Sequence, residues 1–175
     1  MQQSKEEIEA WYQKEDPWQY KVTQADLDRR QKLYDILNKF APYDRALDIG
    51  CGEGFVTEFL PAAEIHGIEI SDLAASRFPP IVKRVHEPDR KYDLVMTTGT
   101  MYQQYDHAKM YDWIMNSATR IILIAGIKDW LLPYKYGKIL YREEFQYREF
   151  TQQVTVYQYL GDDPRDTYGY KVELE

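Results

Sequence analysis

The stretch that most constrains this chain is Ala46-Leu47-Asp48-Ile49-Gly50-Cys51-Gly52-Glu53-Gly54-Phe55. An apolar, strand-like run carries an acid, Asp48, near its end and then breaks into three glycines at alternate positions. Glycine there lets the backbone turn sharply and lets a ligand approach the main chain. The residues after it, Phe55 to Leu60, read as a short helix. Strand, glycine turn and helix are the geometry of a nucleotide site in an open α/β sheet. The spacing is not that of a dinucleotide fingerprint, G-x-G-x-x-G. Started at Gly50 that pattern needs glycine at Phe55, and started at Gly52 it needs glycine at Thr57. What stands here is D-x-G-x-G-x-G.

The rest of the chain alternates as βαβ units should. Ser4 ahead of Lys5-Glu6-Glu7 marks a helix start, with Ile8, Trp11 and Tyr12 on one side. Asp16-Pro17 breaks that helix, and Trp18 and Tyr20 follow it. A second helix is expected from about Gln24 to Phe40. Leu27, Tyr34, Leu37 and Phe40 form its buried stripe, and Asp26, Asp28, Arg29 and Lys32 face outward. Strands are expected at Arg45 to Ile49, Ile65 to Ile70, Ile81 to Val85, Tyr92 to Thr97 and Arg120 to Ala125. Helices fall at Ser71 to Phe78, with Ser71 as cap, and at Asp106 to Ala118. Ile139 to Phe150 reads as strand or part helix, and Val154 to Leu160 as strand, the two forming an antiparallel final pair. The tail from Gly161 is polar and acidic.

At 175 residues, 44% hydrophobic and 29% charged, the composition is that of one soluble globular domain. The net charge of −7 argues against a basic, phosphate-holding face, and so against nucleic acid. The single cysteine, Cys51, forbids an internal disulfide. No apolar leader or membrane-length run is present, so the expectation is a cytoplasmic protein with no membrane partner. The three histidines are dispersed, and no His/Cys pair has ligand spacing, so no metal is expected.

The D-x-G-x-G-x-G pattern resembles motif I of the class I S-adenosylmethionine-dependent methyltransferases. The resemblance implies a mostly parallel seven-stranded Rossmann-like sheet, an antiparallel last strand and helices on both faces. It implies S-adenosylmethionine as cofactor and S-adenosylhomocysteine as product. Asp48 would support the methionine amino end, and Gly50, Cys51, Gly52, Gly54 and Phe55 would form the loop under it. Glu69, at the end of the second strand, matches the acid that accepts the ribose hydroxyls, and Ile70 would lie on the adenine. Glu87 is the nearest match to an acid that meets the adenine amino group, with His86 beside it. Tyr92-Asp93-Leu94-Val95 opens a stretch typical of the family's fourth motif, and Thr98 begins the gap between cofactor and acceptor. That stretch lacks the Asn/Asp-Pro-Pro-Tyr/Phe of exocyclic-amine DNA enzymes, and no Pro-Cys pair serves cytosine-C5 chemistry. His107 is the candidate general base, with Tyr102 or Asp106 as substitutes.

Asp16-Pro17-Trp18-x-Tyr20, the charged helix after it and Tyr43 to Gly52 also look like the small nodulation-type N-methyltransferases. That likeness makes Trp18 and Tyr20 part of a covering segment. The expectation is one methyltransferase domain, with a helical lid over residues 1–40, a core over 41–160 and a tail over 161–175. Its acceptor is the oxygen or nitrogen of a small molecule or glycan. Two alternatives stay open: a cofactor-binding partner subunit without turnover, and a protein or nucleic-acid methyltransferase. Oligomeric state is not legible.

Overall fold

The structure, a computed structural model, describes residues 2–161. Two helices open the chain: α1 (Lys5–Trp11) and α2 (Gln24–Asn38). Then come β1 (Tyr43–Ile49), β2 (Ala62–Ile68), α3 (Asp72–Ser76), β3 (Val82–Arg84) and β4 (Tyr92–Thr98). The chain continues with α4 (His107–Ser117), β5 (Ala118–Ile127), β6 (Lys138–Tyr147) and β7 (Phe150–Gln158). The seven strands form one sheet in the order β3-β2-β1-β4-β5-β7-β6. Strands β1 to β5 pair in parallel, and β7 runs antiparallel to both β5 and β6. This is the expected mostly parallel sheet with its reversed last strand. Among the described residues no helix is long and apolar enough to cross a membrane.

Local chemistry explains where the helices begin. Ser4 Oγ accepts the Glu7 N–H at 3.2 Å while the Glu7 carboxylate accepts the Ser4 N–H at 2.8 Å, a reciprocal cap for α1. Ser71 caps α3 by accepting the Ala74 N–H at 3.0 Å. Asp106 caps α4 through the Lys109 N–H at 3.3 Å.

Successive strand residues point to opposite faces, which makes two cores. Ala46, Leu94, Met96, Leu123 and Val156 pack under Leu33, Ile36 and Leu37 of α2. Leu47, Ile49, Val95, Ile122 and Ile124 pack under Met110, Tyr111 and Ile114 of α4. Helices therefore cover both faces of the sheet.

Four local expectations are corrected. The helix expected over Phe55–Leu60 is a single 3-10 turn at Thr57–Phe59. The segment Ile139–Phe150, open between strand and helix, is strand through Tyr147, because pairing with β7 outweighs the local helix signal. Strand β7 begins at Phe150, four residues before the alternation becomes visible. On α2, Asp26 and Arg29 do not face outward. They continue the buried stripe of Leu33, Ile36 and Leu37 toward the helix start. Of the expected acidic tail only Gly161 falls within the described residues.

Leu33 is fully buried between α2 and the sheet. Leu33→Ala should lower stability by roughly 2–5 kcal/mol, the cost of the lost transfer energy plus a cavity. Val22→Ala, at a side chain 77% exposed, should change it by less than about 0.5 kcal/mol. Urea unfolding of both variants checks this, and equal midpoints would contradict the packing described.

Candidate active site

The site begins where β1 stops. Gly50 takes φ +73°, and a Cβ there would run into the side chain of Thr100. Only glycine serves such a position without strain. The turn lets the N–H groups of Gly50 and Cys51 both donate to the Ile68 carbonyl, at 2.8 and 3.1 Å. The loop after β1 is thereby tied to the end of β2. Gly52, also left-handed, donates its N–H to Glu69 Oε2 at 2.9 Å. Glu69 Oε1 accepts the Ser71 N–H at 3.1 Å.

Asp48 is 1% exposed. Its Oδ2 accepts the Thr57 hydroxyl at 2.8 Å, while Oδ1 is buried with no partner among the described residues. Burial pushes this carboxyl up to about 7, opposed by the Thr57 hydroxyl and reinforced by the charge of Glu69. Glu69 is also raised, by burial first, against the pull of its two N–H donors. Burial raises the Cys51 thiol well above its usual value, so the sulfur stays protonated and fills space.

These residues open on one cavity of about 770 Å³. It runs over the C-terminal ends of the strands, from Glu69 and Ile70 after β2 to Tyr147 at the end of β6. Trp11, Tyr12, Trp18 and Tyr20 wall it from the N-terminal segment. Trp18 meets Trp11 edge to face at 5.2 Å, and Tyr20 lies 5.6 Å from the Phe55 ring. Thr98, Gly99, Thr100 and Tyr102 wall it after β4. Of the residues expected to hold cofactor, Trp18, Tyr20, Asp48, Gly50, Cys51, Gly52, Phe55, Glu69, Ile70 and Thr98 all line it.

Three expected residues stand differently. Gly54 supports the loop from behind, where a Cβ would stand 2.8 Å from the Pro79 ring. Glu87 lies in an exposed turn beside a separate small hollow with Arg90 and Trp113, and its neighbour His86 lines the cavity instead. His107 does not reach the cavity. It shares the core face of α4 with Met110, Tyr111 and Ile114, and its Nδ1 sits 2.8 Å from the Tyr134 hydroxyl. Helical spacing from its cap at Asp106 turns it inward. Tyr102 does line the cavity, but its hydroxyl accepts the Ile127 N–H at 2.8 Å. Burial pushes that phenol up to about 12, so it is no base near neutral pH.

Sequence reasoning missed Tyr12, Arg29, Tyr147 and Gln152, all buried or nearly so and all at the cavity. Only Tyr12 carried a local signal, its place in an aromatic segment. Among the described residues no cluster of His, Cys, Asp or Glu could hold a metal ion.

Solved structures share this architecture. N-methyltransferase NodS from Bradyrhizobium japonicum WM9, in complex with S-adenosyl-L-homocysteine, matches at TM-score 0.75 and 13% identity, over 89% of this chain and 98% of that one. Magnesium protoporphyrin IX methyltransferase (ChlM) from Synechocystis PCC 6803, with bound SAM, matches at TM-score 0.68 and 13% identity, over 91% and 98%. The [4+2]-cyclase SpnF matches at TM-score 0.58 and 11% identity, over 78% and 82%. No protein-family model matches the chain, and no curated protein matches it. The fold is that of the class I methyltransferases.

The Asp48 carboxyl ionises near 4 when the chain is unfolded. Between about pH 4 and 7 the folded state holds a proton that the unfolded state releases, so this group makes stability fall as pH rises through that window. Asp48→Asn should remove the effect. Relative to the variant, the wild type should lose up to roughly 4 kcal/mol between pH 4 and pH 8. Urea melts at pH 4, 6 and 8 measure it, and parallel curves for the two proteins would refute the buried, underpartnered carboxyl.

Proposed function

We propose that this chain is an enzyme that transfers a methyl group from S-adenosylmethionine to the oxygen or nitrogen of a small molecule or glycan. The observation that carries the reading is the unpartnered, buried Oδ1 of Asp48 beside the Gly50 turn, in one cavity with Glu69. That donor set fits the cofactor. Asp48 presents a bare acceptor to the methionine ammonium. Glu69 spends one lone pair of each oxygen on Gly52 and Ser71 and keeps the others for two ribose hydroxyls. Ile70, about half exposed, offers an apolar face to the base, with His86 at that end of the cavity. Likeness to structures solved with S-adenosylhomocysteine and SAM supports this choice.

When bound, the cofactor supplies an electrophilic methyl carbon on a sulfonium. The chain's own work is to seat it and to align an acceptor. Thr98 to Tyr102 and the Tyr147–Phe150 hairpin bound the remaining space. With His107 turned into the core, Tyr102 held protonated and Asp106, at the cavity, accepting the Lys109 N–H as the cap of α4, no dedicated base is assigned. Alignment and exclusion of water lower the barrier.

The reading treats the chain as one catalytic domain whose segment before α2 is a lid; the expected lid over residues 1–40 is shortened, because Leu33, Ile36 and Leu37 of α2 belong to the core against the sheet. Supporting it, α1 rests on α3 through a small cluster of its own, Ile8 and Tyr12 on Ala74, with Lys5 paired to Asp72 at 3.0 Å and Glu9 accepting the Leu73 N–H at 2.9 Å. Its aromatic residues meanwhile wall the cavity. The fold also serves a [4+2]-cyclase, so binding and turnover must be measured separately.

Calorimetry should find that S-adenosylhomocysteine binds and raises the melting temperature. Glu69→Ala should weaken it by roughly 1–3 kcal/mol, the scale of hydrogen bonds to a charged acceptor. Absence of binding at millimolar ligand would sink the assignment, and binding without labelled product from sugars, amines or phenols would favour a non-catalytic subunit. Hydrogen exchange should show the segment before α2, residues 4–23, gaining protection when S-adenosylhomocysteine is added, while core helix α2 stays protected in both states. Equal protection in both states would dismiss the lid.

A further inference from the structure

The methyl-transfer reading leaves one wall of the cavity without a task, the wall built by the turn after β5 and by the β6–β7 hairpin. Trp130 stands in that turn, 48% exposed and facing the cavity. It is firmly placed. Its backbone N–H donates to the Ile127 carbonyl at 3.0 Å, and the Lys128 N–H reaches across to the Thr151 carbonyl at 2.8 Å. The Trp130 ring meets Tyr102 at 5.7 Å and 86°, and Phe150 at 5.1 Å and 59°. Neither neighbour lies parallel to it, so an indole face is left for a further ring, the offset-stacked geometry that aromatic pairs favour.

Gln152 stands in the same wall. Strand register sets it between Ile127 of β5 and Phe145 of β6. It is 3% exposed, it lines the cavity, and its amide makes no hydrogen bond among the described residues. A buried amide without partners is costly, and the open side of this one is the cavity. An amide both donates and accepts, so it calls for a ligand group that does the same.

The rest of the wall narrows the class of ligand. The Tyr102 hydroxyl accepts the Ile127 N–H, and the Tyr147 hydroxyl donates to Asp26 at 2.6 Å. A saccharide carries hydroxyls around most of its rim and would bury several of them against ring carbon. A cationic ligand would meet Arg29 and Arg148, two guanidinium groups that line this cavity and share the single carboxylate of Asp26. An uncharged planar ring with one hydroxyl or lactam edge meets neither cost.

We propose that this half of the cavity is built for a planar aromatic acceptor, stacked on Trp130 and held at one polar edge by the Gln152 amide. The proposal deepens the methyl-transfer reading and rests on it only for calling the ligand the acceptor.

Calorimetric titration of wild type, Trp130→Leu and Gln152→Met, each loaded with S-adenosylhomocysteine, tests it. The probes are 2-naphthol and quinolin-2-one, their ring-saturated counterparts decahydro-2-naphthol and decahydroquinolin-2-one, and N-acetylglucosamine. Loading closes the cofactor's own end of the cavity to the probes. The wild type should bind each planar compound at least about tenfold more tightly than its saturated counterpart and than the sugar. Trp130→Leu should erase that preference, and Gln152→Met should weaken both planar compounds at least about fivefold. Equal affinity for planar and saturated compounds, preference for the sugar, or no binding of the planar compounds at millimolar concentration overturns the proposal, and none of these needs a variant that folds. A preference that survives Trp130→Leu also overturns it, because the ring is then held elsewhere, and unchanged affinity in Gln152→Met overturns the polar contact. Should S-adenosylhomocysteine not bind the wild type, the methyl-transfer reading falls by itself. The same titrations of the free proteins, judged by whether Trp130→Leu loses the preference for planar rings, then still decide what this wall holds.

Discussion

The left-handed turn at Gly50 is the constraint on which the upper edge of the sheet depends. It reverses the chain after β1 with the Thr100 side chain packed where a Cβ would go. The following N–H groups are spent on Ile68 and Glu69. One turn therefore fixes the spacing of three loops: after β1, after β2 and after β4. The opposite end of β1 is pinned as firmly. The Asp93 carboxylate, at the start of β4, accepts the N–H groups of Asp44 and Arg45, each at 2.8 Å. Hydrogen bonds to a charged acceptor contribute about 1.5–3 kcal/mol each. A central strand clamped at both ends by its neighbours cannot slip register, and a slip of one residue would turn Asp48 away from the cavity.

Elsewhere the helical cover is sparse, and aromatic side chains replace it. No helix joins β5 to β6. In its place Tyr134 stacks on Tyr111 at 4.5 Å, and Tyr136 packs against Tyr157 at 5.1 Å. Each such ring buries about 150–250 Å², comparable to what a turn of helix would contribute to that face. Tyr111, Tyr134, Tyr136 and Tyr157 are thus structural in cause. His107 belongs to this wall, because its ring closes the stack against Tyr134.

What could be read from the sequence was what is settled by near neighbours. The glycine turn, the Ser4 and Ser71 caps and the apolar strands each have their cause within a few residues. So does the order of strands and helices up to β5. What could not be read depends on distant partners. Asp26 and Arg29 look like solvated helix charges until Tyr147 and Arg148, 121 and 122 residues from Asp26, close over them. The first half of β7 carries too little alternation to announce itself, and its pairing with β5 and β6 decides it. The site divided along the same line. Asp48 and Glu69 sit at strand ends that hydrophobic pattern locates, whereas the walls opposite them come from the N-terminal segment and from the β6–β7 hairpin, far apart in the chain.

The two buried acids of the cavity are not equivalent, although burial raises both. Glu69 has an N–H on each oxygen, so its negative charge is already partly compensated and what it lacks is further neutral donors. Asp48 has one hydroxyl on one oxygen and, among the described residues, nothing on the other. A proton can satisfy that bare oxygen, and so can a cation, but a desolvated carboxylate without either is costly. On the proposed reading, a ligand ammonium and a proton would therefore compete for the same atom. The strand that carries Asp48 is central and clamped, so the carboxylate cannot turn out to water to escape the choice. On that reading, the rigidity of β1 would make Asp48 selective for a cation, while Glu69, with an N–H on each oxygen, would suit hydroxyls.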